Sequence, residues 1–153
     1  MRTHITDANL QASAASVLRD LASSSALRNA IVVGGGLSCI VAAMSAHAGS
    51  SEVQRACCGA LCNISPAAGV IAAVVFGPAL PCVYSAMKTH GRVAGVVESA
   101  TMWALWSLTL TAEGRDKLGT TRARAAVEAA ARLHPNSAPV AASAAKILDV
   151  LSQ

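Results

Sequence analysis

The chain has 153 residues, enough for one domain with a modest core, and a formal net charge of +4. It is 54% hydrophobic yet only 3% aromatic and 13% charged. That balance suits closely packed helices and excludes the dense basic stripe of a typical nucleic-acid binder. Five cysteines, an odd number, and an N-terminus "MRTHITDANLQ" without a signal-like apolar core point to a reducing, intracellular compartment, the cytoplasm by default.

The first predicted element is a helix from Asp7 to Ala22. Next comes "NAIVVGGGLSCIVAAMSAHAG", Asn29 to Gly49, which has two readings. An apolar run, three glycines and a small-residue helix can open a dinucleotide-binding strand-turn-helix. The same stretch can be one helix turning into the next. A helix beginning near Glu52 follows, with Val53, Ala60, Leu61 and Ile64 on one face. Forty-three residues after the first corner, "GPALPCVYSAMKTH" answers "GGGLSCIVAAMSAH", with Gly34 matched by Gly77, Cys39 by Cys82 and Met44 by Met87. A helix beginning near Val96 follows that copy. "TRARAAVEAAARLH" and "PNSAPVAASAAKILDVLS" form a degenerate last copy.

The four histidines mark the period. His4, His47, His90 and His134 are spaced by 43, 43 and 44 residues. A fixed period of this size reads as a stack of helical units, each burying its apolar faces on its neighbours. The expected division is a leading third helix or polar cap (1–22), a repeat (23–65), a second repeat (66–109) and a divergent C-terminal repeat (110–153). The fold class is therefore all-α.

"EVQRACCGALCNIS" resembles the third-helix signature of armadillo repeats, and "GLSCIVAAM" and "GPALPCVYSAM" resemble their second helix. The resemblance covers nearly the whole chain. It implies a right-handed superhelix of three-helix units that binds an extended peptide or partner protein along a groove of third helices. In the importin-alpha branch of the family, a Trp and an Asn four residues later point into that groove. Here the pair is split. Asn63 is present with Gly59 at the Trp position, and Trp103 is present with Ser107 at the Asn position. The implied partner-binding residues are Arg55, Asn63, Ser99, Trp103, Ser107 and Lys146, with Ser16 and Asp20 continuing the surface on the first helix. The partner is then a protein or peptide. No cofactor and no metal are expected, and nucleic acid, membrane and small-molecule substrates are disfavoured.

Two alternatives compete. In the first, Gly34 and Gly36 form the phosphate turn of a flavin or NAD enzyme fragment. The third glycine is missing, and "HAGSS" before Glu52 is no strand. In the second, the charge-free runs Asn29–Ser51 and Ala56–Met87 belong to a small membrane protein. Both runs are broken by glycine, proline or histidine before about twenty apolar residues accumulate. No HExxH, GxSxG, GKS/GKT or CxxC motif is present, so no enzyme activity is expected. Equivalent histidines on helices roughly 8–10 Å apart cannot share one metal with bonds of about 2 Å. They read as helix-end residues beside carbonyl groups. Cys57, Cys58 and Cys62 read as small buried packing residues. The basic stretch Gly114–His134 reads as a solvated face. End-to-end self-association, or membership of a longer array, is a further expectation.

Overall fold

A computed structural model describes residues 1–66, 77–109 and 121–152, the side chains of 103–109 and 121–123 excepted. The described residues form eight α-helices after a 3-10 turn at Arg2–His4, with no strand among them. The helices are α1 (Ala8–Leu21), α2 (Ser25–Val33), α3 (Gly36–Ala46), α4 (Ser51–Ile64), α5 (Ala79–Thr89), α6 (Ala94–Thr109), α7 (Thr121–Leu133) and α8 (Ala138–Val150). The expected first helices of the last two repeats fall mainly within 67–76 and 110–120, outside the described residues.

Local chemistry sets where the long helices begin. The Asp7 carboxylate accepts from the Leu10 amide at 3.0 Å. Ser50 and Ser137 hydroxyls accept from Val53 and Val140 at 3.4 Å each. Each thereby satisfies one of the amides that a helix start leaves without an internal partner. All three residues stand three positions after a histidine. Val93 holds that place before α6 and has no side-chain oxygen to offer.

The triple glycine is a corner between two helices. The residues before it form α2, so the strand that a dinucleotide turn requires is a helix here. α2 and α3 meet at 70°. Gly35 turns the chain with φ 78°, a left-handed conformation that costs other residues roughly 1–2 kcal/mol. A Cβ on Gly36 would lie 2.8 Å from the Ile31 carbonyl oxygen, so the α2–α3 approach leaves no room for a side chain. No single helix among the described residues is long and apolar enough to cross a membrane.

The long helices pack in chain order, α1 on α4, α4 on α6 and α6 on α8. A second row forms beside them, α3 on α5 and α5 on α7. Ile40, Met44, Val53, Leu61, Ile64 and Ile147 fill the core between the rows. Ala12, Ala15, Ala56, Cys57, Cys58 and Ala60 are small and buried, which lets neighbouring helices approach closely. Shared helical spacing correctly identifies the inward face of α4 and α8. On α1 the same spacing marks a stripe that is not buried. Val17 is 56% exposed and Leu21 is 42% exposed.

Candidate functional site

The corners explain the histidine ladder. His47 and His90 end α3 and α5, as their spacing predicts. Their rings do not serve their own helix ends, however. His47 Nε2 lies 2.6 Å from the Ile5 carbonyl oxygen, His90 Nε2 2.8 Å from that of Ala48, and His134 Nε2 2.7 Å from that of Gly91. A carbonyl oxygen only accepts, so each Nε2 carries the proton and donates. Each histidine thus bonds the residue that follows the previous histidine. The ladder stitches one corner to the next, and no group of three metal-binding side chains is found among the described residues.

A second set of corner residues was missed from sequence. Gln54 is buried, and its Nε2 donates to the Met44 and His47 carbonyls at 2.9 Å each. Gln11 repeats the arrangement 43 residues earlier, donating to the Met1 carbonyl at 3.0 Å and the His4 carbonyl at 2.7 Å. These amides satisfy carbonyls that a helix C-terminus leaves open. The signal was present: His, a capping residue three positions on, and Gln seven positions on, twice in register. Val97 holds the equivalent place after His90 and carries no side-chain amide; Glu98 lies one position further on. Glu98 accepts from the Ser137 hydroxyl at 2.7 Å.

The proposed groove residues are placed unevenly. Arg55 and Lys146 are exposed, and neither makes an ion pair among the described residues. The Arg55 stem lies across the start of α6, where a Cβ on Gly95 would fall 2.8 Å from its Cδ. Asn63 is half-buried and already employed. Its Nδ2 donates to the Arg19 carbonyl of α1 at 2.8 Å. Ser99 is half-buried, and its carbonyl accepts from Cys62 Sγ at 3.2 Å. Ser16 is half-buried, and Asp20 is exposed and pairs with Arg19 at 2.9 Å. Trp103 and Ser107 lie on α6, and their side chains fall outside the described residues.

The cysteines behave as packing residues. Burial pushes the Cys57 and Cys62 thiols up to about 12, and Cys58 well above its usual range. A thiol held neutral in this way is a poor nucleophile and a poor metal ligand. Two clefts among the described residues are lined by none of Arg55, Asn63, Ser99 and Lys146. One of about 460 Å³ opens between α5 and α7, lined by Tyr84, Met87, Ala126, Ala130 and Leu133 among others. Another of about 680 Å³ runs beside α1, with Met1, Val17, Leu18 and Ile31 on its walls. No protein-family model, curated protein or solved structure matches this chain.

Proposed function

We propose that the chain is an armadillo-type interaction scaffold without chemistry of its own, which binds an extended peptide along its third helices. The observation that carries this reading is the side-by-side row α1, α4, α6 and α8, fixed from corner to corner by the histidine bonds. Such a row offers side chains at regular intervals, and an extended peptide can meet several at once. Arg55 and Lys146, exposed and unpaired among the described residues, favour an acidic peptide. Five free thiols support a reducing, intracellular location.

The test is selection of peptides from a random array on the immobilised chain, followed by affinities for variants. Arg55→Glu and Lys146→Glu are expected to weaken the selected peptides at least tenfold, with helicity unchanged by circular dichroism. Selected peptides that bind both variants and Trp103→Ala as tightly as the original chain would sink the groove assignment. Asn63→Ala is a poor probe on its own, because it also removes the bond to the Arg19 carbonyl.

A further inference from the structure

The stripe that buries α4 is present on α1 and faces solvent. Val53, Ala56, Cys57, Ala60 and Ile64 are all fully buried. Forty-three residues earlier stand Leu10, Ser13, Ala14, Val17 and Leu21, each half-buried or exposed. The 680 Å³ cleft opens beside Val17 and Leu18 of this face. On α4 this stripe lies beside Gly59 and Asn63, the residues that meet Arg19 of α1, and on α1 its Val17 and Leu21 are exposed.

The last helix carries the matching surface. α1 meets α4 on the side that bears Arg19, whose carbonyl accepts from Asn63 and whose stem lies against Gly59. Ala8, Ala12 and Ala15 share that side. At the same repeat positions α8 has Ala138, Ala142, Ala145 and Asp149, and all four are exposed.

The histidine stitch is likewise halved at the two ends. His4 is exposed, and its ring makes no hydrogen bond among the described residues. Pro135 follows the last histidine, and its carbonyl accepts no hydrogen bond among the described residues. One end holds a donor without an acceptor; the other holds the acceptor.

We infer that copies of this chain join head to tail, α1 of one copy packing on α8 of another as α4 packs on α1. His4 then donates to the Pro135 carbonyl of the neighbouring copy. The contact repeats a junction that one chain already contains three times, between α1 and α4, α4 and α6, and α6 and α8. It is heterologous, so it adds copies in a row and does not close a two-fold dimer. One residue weakens it. Asp20 stands where Asn63 donates its amide, so a carboxylate meets the Asp149 carbonyl, which takes the place of the Arg19 carbonyl. The inference uses the two ends of the row and does not rest on peptide binding.

Sedimentation velocity across a concentration series tests this with four samples. The mass of the original chain is expected to rise past the dimer as concentration increases. Val17→Arg and Ala145→Glu, both at exposed positions, each leave a monomer with unchanged helicity and melting temperature. An equimolar mixture of the two stops at a dimer, because each variant retains the end that the other lacks. Asp20→Asn shifts half-assembly to about fivefold lower concentration, the worth of one net hydrogen bond. A chain that stays monomeric at about 1 mM, the weak limit for a specific contact, overturns the inference. So does a species that never exceeds a dimer, or a mixture that fails to pair.

Discussion

The corner at His47 and the corner at His90 share a plan and differ in two residues. Both histidines donate to the carbonyl one residue past the preceding histidine. At the first corner Ser50 caps α4, and Gln54 bonds two carbonyls at the end of α3. At the second, Val93 cannot cap α6, and Val97 has no side-chain amide to give. Glu98, one position on, accepts from Ser137, the cap of α8, and so ties its corner to the next. The stitch between corners is therefore the shared element, while the bonds inside a corner vary. A helix row of this kind holds together through neighbour contacts, so one under-bonded corner is tolerated when those on either side are complete.

The largest expected effect breaks the complete corner. Gln54→Leu keeps the volume near constant and removes two donated bonds. The His47 carbonyl still accepts from the Ser50 amide at 3.0 Å. The Met44 carbonyl loses its side-chain donor within the packed core. Urea unfolding is expected to show a loss of about 2 kcal/mol, the cost of a buried acceptor without a partner. Gln11 is itself buried, but Met1 is half-buried and His4 exposed, so Gln11→Leu leaves carbonyls nearer to water and costs about 1 kcal/mol. Equal losses at the two positions would show that burial does not set the strength of these corners.

A middle-sized effect completes the weak corner. Val93→Ser restores the capping oxygen that Asp7, Ser50 and Ser137 supply elsewhere. Val93 is exposed, so little apolar burial is lost. A gain of about 1 kcal/mol is expected, seen as a rise of roughly 2–4 °C in melting temperature. No rise would mean that the first turn of α6 already finds other partners.

Much of this was legible in the sequence. The 43-residue period placed every helix end that a histidine marks, and the apolar spacing picked the buried side of α4. The glycine corner was resolved by its own copy, since Gly77-Pro78 makes no phosphate cradle. Other features were not legible, for physical reasons. Spacing shows which residues share a face but not whether a neighbour covers it, so Val17 and Ala60 look alike and end at opposite extremes of exposure. Polar residues inside a repeat were read by type. Gln11 and Gln54 carry no recognised motif, though their recurrence 43 residues apart marked a fixed task. Repeat position alone puts Asn63 on the groove surface, and position does not show that its amide donates to the Arg19 carbonyl of α1.

The smallest effect sharpens the same comparison. Val97→Gln gives the second corner the residue that the first two corners use, seven positions after the histidine. The new amide stands one repeat beyond Gln54, where the Met87 and His90 carbonyls match those of Met44 and His47. Val97 is buried, so the change also removes an apolar side chain from the core. The two changes oppose each other, and a net change of only about 0.5 kcal/mol is expected. Val97→Ala separates them, because it loses the apolar side chain and gains no amide. The glutamine variant should be about 1 kcal/mol more stable than the alanine variant in urea unfolding. If glutamine is no better than alanine, the carbonyls of the second corner are satisfied by other donors, and the two corners differ in plan and not merely in completeness.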